Sequence, residues 1–410
     1  MRTDDYLQHL NQQLLPFWNQ AIDQEYGGVF TCFTNDGSEL ISQRKYIWSQ
    51  GRFLWLAAKL EQLQQQHKQL DRYNWKSVAE QTYHFLRQHA LMENQHVVFA
   101  VERDGRHIPT EMDTSIFADC FYVLGCNAYA AMREDHDIFR HALSIYQTIK
   151  KRIAANTFKS EPYPIPEGYQ SHSIPMILLN VAQELFGTAV ALSLKDVDML
   201  HADQLSYLNK ILDELTVEQR IMEMKHIAGA GDTLLERHVN PGHTLESIWF
   251  MIHSLQLLNQ QDPSIFAKLE QMARFALEAG WDSQYGGLLR FVDHSGGKPC
   301  GTLIDTPYEQ LIMDTWDMKL WWPHAEALYT TKLLAELTNK PEWEKRYQQM
   351  EAYTLSTFPN PNQEVGEWIQ IRSRNGTPHD KVVALPVKDP FHIIRSFILL
   401  EDLSIKMLHR

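Results

Sequence analysis

NPGHTLESIWFMIHSL, residues 240–255, opens with a helix-start signal, sets Pro241 at the first helical position and runs on into an apolar helix. Five other stretches open in the same way: YIWSQGRFLWLAAKL from Tyr46, DTSIFADCFYVLGCNAY from Asp113, SIPMILLNVAQEL from Ser173, WWPHAEALYTTKLL from Trp321 and DPFHIIRSFILLEDL from Asp389. Pro175, Pro323 and Pro390 sit at or near the starts of three of them. A start every 60 to 80 residues or so, each followed by room for a second helix, implies six helix pairs. Six pairs in a ring close on themselves, so the sequence predicts an all-α chain folded as an (α/α)6 barrel.

Between the helices a second element recurs. GGVFTCFTNDGS (from Gly27), HVVFAVERDGR (from His96), GGLLRFVDHSGG (from Gly286) and EWIQIRSRNGT (from Glu367) are strand-like runs ending in Asp-Gly, Ser-Gly or Asn-Gly. Such dipeptides favour the φ > 0 positions of hairpin turns, which predicts short β-hairpins at one rim. Nearly the same words, DQEYGG at Asp23 and DSQYGG at Asp282, precede two of them. Long apolar strands of a βαβ fold are missing. No Pro/Gly/Ser-rich linker divides the 410 residues, so 1–410 is expected to be one domain, with 158–173 as a long rim loop.

With 44% hydrophobic and 11% aromatic residues, the chain has material for a large core. Its net charge of −13 argues against nucleic acid or an anionic membrane as partner. The N-terminus lacks a signal-peptide pattern and no apolar run is expected to reach membrane-spanning length. The four cysteines show no CxxC pair, so the expected setting is cytoplasmic.

The helix starts carry the chemistry. His243 stands at the mouth of its helix with Glu246 one turn on; the positive end of the helix dipole should keep its imidazole neutral. His392, two residues past Pro390, repeats the arrangement, and two such histidines facing one funnel suggest an acid and a base on opposite sides of a substrate. Trp321, Trp322, His324 and Glu326 combine flat indoles with polar groups, a surface suited to sugars. Arg52 lies in an apolar helix beside Trp48, Gln50 and Trp55, and a buried arginine needs either acidic partners or substrate oxygens. Tyr46 and Lys388, which flank the first and last starts, complete the expected substrate-binding set. No GxGxxG follows a strand, and neither GxxxxGK[ST] nor GxSxG occurs. His136/His141 and His238/His243 are five apart, wrong for one helix face, so no metal is expected.

The words KYIWSQGR, SIPMILLN, NPGHTLE–W, GWD–GGL, MKLWWPHAEA and the terminal PFH–R, in this order from about Phe17 to Leu403, resemble the N-acylglucosamine 2-epimerase family, known in mammals also as renin-binding protein. The resemblance implies an (α/α)6 barrel, usually a homodimer, that interconverts N-acetylglucosamine and N-acetylmannosamine. It maps the two catalytic histidines onto His243 and His392, and the supporting arginine and glutamate onto Arg52 and Glu326. It implies no required cofactor; ATP activation belongs to the N-acyl branch, but no motif here carries it. Free-sugar members, the mannose isomerases and cellobiose 2-epimerases, carry a further histidine in a motif resembling M-H-L-L-E. Here that stretch reads Met176-Ile177-Leu178-Leu179-Asn180, as in the N-acyl branch. Against this, the chain runs directly from Lys388-Asp389-Pro390 to Phe391-His392, without the glycine-bearing insertion of N-acyl epimerases, and so resembles the free-sugar members there. Three functions follow: an N-acyl sugar epimerase, an isomerase or epimerase of free sugars, or a non-catalytic binding protein on the same barrel.

Overall fold

Each of the six openings begins a helix. The structure, a computed structural model, describes residues 3–229, 231–260 and 262–408. The chain enters through α1 (Thr3–His9) and α2 (Leu15–Gln20), joined by a π-turn over Leu10–Leu14. There follow α3 (Ile47–Gln66), α4 (Trp75–His89), α5 (Ile116–Arg133), α6 (His136–Ala154), α7 (Ser173–Ala191) and α8 (Val197–Asn209). After the one-turn α9 (Leu234–Arg237) come α10 (Pro241–Leu257), α11 (Pro263–Gly280) and the rim helix α12 (Pro307–Thr315). The series ends with α13 (Trp321–Thr338), α14 (Pro341–Thr357) and α15 (Phe391–Leu408).

Six of these form the inner ring: α3 packs on α5, α5 on α7, α7 on α10, α10 on α13, α13 on α15, and α15 back on α3. The molecule is an (α/α)6 barrel. Helices α4, α6, α8, α11 and α14 back the ring, and α1 packs on α15, supplying the outer partner that the last inner helix would otherwise lack. Burial follows position. Outer α6 buries Phe139, Ala142, Leu143, Tyr146 and Ile149 along one stripe while Arg140 and Gln147 face solvent. Inner α7 is buried nearly all round. That helix is also, by length and composition, apolar enough to cross a membrane, contrary to the expectation from sequence; here 78% of it is buried inside the ring.

Inner helices α3 and α5 touch through glycines. A Cβ on Gly51 would stand 2.3 Å from the Phe121 carbonyl oxygen, and one on Gly125 2.5 Å from that of Gly51. This contact fixes the height of the next residue, Arg52, in the barrel.

The expected hairpin turns form, with Gly37, Gly105, Gly296 and Gly376 all at positive φ. Three of the four strand runs pair elsewhere, however, each with the short strand that leads into an inner helix: 45–46 with 100–101, 238–239 with 292–293, and 319–320 with 371–372. The rim strands thus brace the inner-helix starts. Two buried ion clusters reinforce the rim and explain the repeated words. Asp23 accepts from Lys45 and Arg103, and Asp282 from Lys319 and Arg374.

Candidate active site

The inner-helix starts converge on a cavity of about 210 Å³. Its wall includes Trp48, Arg52, His243, Glu246, Trp321, Trp322 and His392. Trp322 lies between the two histidines, its ring centroid 5.1 Å from that of His243 and 5.6 Å from that of His392. Asn240 caps α10 by accepting from the His243 backbone N–H, so the cap sets the residue that carries the imidazole. Gly242 lets this start approach α13, because a Cβ there would meet the Trp322 ring at 2.6 Å.

Each histidine is backed by a carboxylate through Nδ1. Glu223 Oε2 lies 2.9 Å from His243 Nδ1, and Glu326 Oε1 lies 2.7 Å from His392 Nδ1. Both contacts leave Nε2 free of the carboxylate that fixes the ring. The two stations differ in what stands behind them. Burial opposes charge on His243, but the Glu223 carboxylate outweighs it and raises the imidazole above its ordinary 6.5. The other oxygen of Glu223 approaches His172 Nδ1 at 3.4 Å, and His172 Nε2 meets Ser247 Oγ at 3.0 Å.

At His392 the carboxylates are already engaged. Arg395 donates to Glu246 and, at 2.7 Å, to the same Glu326 oxygen that the imidazole uses; Trp249 donates to the other Glu326 oxygen at 2.7 Å. The ring is also drier, with 8% of the side chain exposed against 26% for His243. Burial first, with Arg52 and Arg395 adding to it against the pull of Glu246 and Asp389, lowers His392 to about 3. The expectation that the dipole keeps His243 neutral is therefore corrected: Glu223 wins there, and His392 is the neutral imidazole.

Arg52 pairs with Asp389 and lies over the Phe121 ring at 4.1 Å, with Trp48 and Phe391 on either side. It both lines the cavity and has an acidic partner, so the two alternatives read from the sequence coexist. Glu326 stands behind His392, fully buried.

Four expected substrate contacts lie away from the cavity wall. Gln50 accepts from Val29 N–H and donates to Val29 C=O, both at 2.8 Å. His324 is fully buried, accepts from Leu288 N–H at 2.8 Å, contacts the Leu320 carbonyl and stacks on Tyr353; burial lowers it to about 3. Lys388 donates to the carbonyls of Asn35 and Trp368. Tyr46 packs edge-on against Phe99. Each satisfies its polar atoms or its ring within the rim, where the strands join the helix starts.

Sequence reasoning missed Glu223 and Arg395. Arg395 had a signal, a charge on an apolar helix three residues past His392 and so on the same face. Glu223, between the buried Met222 and Met224, had only its charge between apolar neighbours. Spacing along the chain also hid two clusters of metal-ligand type, His172–Glu223–His243 and Glu246–Glu326–His392. In the second, the Arg395 guanidinium already holds both carboxylates, a poor fit for a cation.

The family model for N-acylglucosamine 2-epimerase matches residues 28–396. The N-acylglucosamine 2-epimerase of Bos taurus is 27% identical over 97% of this chain and 90% of its own length. Among solved structures, the cellobiose 2-epimerase from Bacillus thermoamylovorans B4167 superposes with a TM-score of 0.79 at 16% identity, covering 98% of this chain and 99% of the other. A D-mannose isomerase gives 0.77 at 15% identity, covering 98% of each chain. A ring closed in the same way, a histidine pair at its helix starts and a family match across nearly the full length agree: the chain belongs to the N-acylglucosamine 2-epimerase family and is a sugar 2-epimerase, an enzyme of the isomerase class.

Proposed function

We propose that the protein interconverts N-acetyl-D-glucosamine and N-acetyl-D-mannosamine by removing and returning the proton at C2. That proton is acidic only when C1 is a carbonyl, so the open-chain aldehyde is the reacting form. Neutral His392 takes the C2 proton from one face, and protonated His243 returns one to the other; for the opposite epimer the roles exchange. Arg52 stabilises the charge that develops on O1 of the enediolate-like intermediate. Glu326 and Glu223 hold the two imidazoles, and the indoles of Trp321 and Trp322 offer faces to the sugar. The observation that carries this reading is the pair of carboxylate-backed histidines on either side of Trp322.

The N-acyl choice rests on Ile177, which lines the cavity in the stretch where free-sugar members carry a further histidine. One observation favours the second reading, a free-sugar substrate such as mannose: the direct run into His392 sets Asp389 against Arg52, with both on the cavity wall. A purely non-catalytic binding surface has no use for two buried acid–base stations. The whole chain acts as one unit, as a cytoplasmic homodimer, without a required cofactor and with ATP as an allosteric activator.

Incubation with N-acetylmannosamine and with mannose in D2O, followed by separation of products, tests the proposal. N-acetylglucosamine carrying deuterium at C2 is expected. Fructose from mannose with N-acetylmannosamine untouched would overturn the N-acyl reading, and product without solvent deuterium would overturn the two-histidine exchange.

A further inference from the structure

The cations on the cavity wall are matched one by one, with a single exception. Arg52 has Asp389, Arg395 has Glu246 and Glu326, and His243 has Glu223. Arg290 is 5% exposed and lines the same cavity, yet among the described residues no carboxylate lies within ion-pair distance of it. Its guanidinium meets only neutral acceptors: Thr315 Oγ1 at 2.9 Å, the Val383 carbonyl at 3.0 Å and Tyr163 OH at 3.2 Å. Nε, also buried, has no partner. Guanidinium presents five N–H groups, so two remain to be satisfied.

Burying a charge is costly unless a counter-charge comes with it. Hydrogen bonds to neutral oxygens solvate the guanidinium but leave its charge uncompensated. A buried guanidinium at a cavity wall, with no carboxylate beside it, suits an oxyanion as its counter-charge. The guanidinium carbon lies 4.8 Å from the centroid of the Phe291 ring, and Tyr308 lines the same cavity.

We propose that Arg290 forms a subsite for an oxyanion, a carboxylate or phosphate, carried by the sugar substrate at a position away from C1 and C2. This rests on the cavity being a sugar 2-epimerase site, and it puts an acidic sugar, such as a 6-phosphate, ahead of the neutral N-acetyl sugar as preferred substrate. Tyr163, whose hydroxyl contacts both Arg290 and the Val383 carbonyl, couples the subsite to segment 383–387 over the cavity.

The test compares kcat/KM for N-acetylmannosamine, N-acetylmannosamine 6-phosphate and mannuronate in the intact enzyme and in Arg290→Gln and Arg290→Lys. Wild type is expected to favour one acidic sugar over the neutral one. That ratio should fall by about 10- to 100-fold in Arg290→Gln and by less in Arg290→Lys, which keeps the charge. An equal ratio in wild type and Arg290→Gln would overturn the proposal. Inorganic phosphate forms a second arm: competition with the neutral sugar, lost in Arg290→Gln, without preference for either acidic sugar would show a site for a free anion and overturn the substrate assignment. Tryptophan-fluorescence titration with the same three sugars separates this from failure of the epimerase reading. Tighter binding of an acidic sugar that depends on Arg290, without turnover, would sustain the subsite and sink the reaction; binding that does not discriminate would sink the subsite.

Discussion

His243 and His392 occupy equivalent points of the same repeat, at the starts of two inner helices, and each rests on a glutamate through Nδ1. They differ in exposure and in the charges that stand behind them. Behind His243 the glutamate meets another histidine, whereas behind His392 Arg395 holds both glutamates and Arg52 stands beside the ring. At His243 the carboxylate outweighs burial and raises the imidazole; at His392 carboxylates already matched by guanidinium still pull upward but do not outweigh burial. One repeat element thus yields an acid and a base, because the pKa values of two like groups have been pushed apart by their surroundings.

The strongest way to break the contrast is to remove a station. His392→Asn and His243→Asn should each lower kcat by about 10² to 10⁴ with the fold intact. Steady-state assays on folded preparations check this, and either variant keeping more than about a tenth of the rate loses its residue from the mechanism. Next comes Arg395→Met, which frees two buried carboxylates. It should cost about 3–5 kcal/mol of stability, measured by denaturant unfolding, and raise His392, so that the acid limb of the kcat/KM profile moves to higher pH. An unmoved acid limb would show that burial alone holds His392 neutral.

Glu223→Gln tests the other side with a smaller effect. Without the carboxylate, burial governs His243, its pKa falls, and the alkaline limb of the profile moves to lower pH. The loss at neutral pH should be about tenfold to hundredfold. Stability carries the same signature with opposite signs. His392, depressed to about 3 in the fold, contributes stability that is present above pH 6.5 and lost as pH falls toward 3. His243, raised, contributes stability that is present below pH 6.5 and lost as pH rises through its folded value. Unfolding free energies of each His→Asn variant, subtracted from wild type across pH, should slope in opposite directions; parallel slopes would erase the distinction.

How far the sequence carried this site depends on the kind of contact involved. Helix starts are local, so the prolines and capping residues located the ring, and His243, His392, Arg52, Trp321 and Trp322 followed from it. Charge balance is not local. Glu223 reaches His243 from the bend between strands 220–221 and 224–226, 20 residues earlier, and Arg395 meets Glu246 across 149 residues, so neither protonation state was legible. The helix dipole, the one electrostatic term readable from sequence, gave the wrong sign at His243 because a carboxylate at 2.9 Å outweighs it. Gln50, His324 and Lys388 misled for a related reason: polar residues beside helix starts serve the rim strands as readily as the cavity. The smallest expected effect follows from their placement. His324→Gln and Lys388→Met should lower the melting temperature while kcat stays within about threefold of wild type, since surface-remote packing changes act mainly on stability. A larger loss in kcat would return them to the site.

The difference in charge between the two imidazoles can be observed directly. Nitrogen-15 NMR of the histidine side chains at pH 5.5, between the lowered His392 and the raised His243, assigned with the two His→Asn variants, should show His243 as imidazolium and His392 as a neutral ring protonated at Nδ1. Two neutral rings, or the reverse assignment, would contradict the division of labour between them.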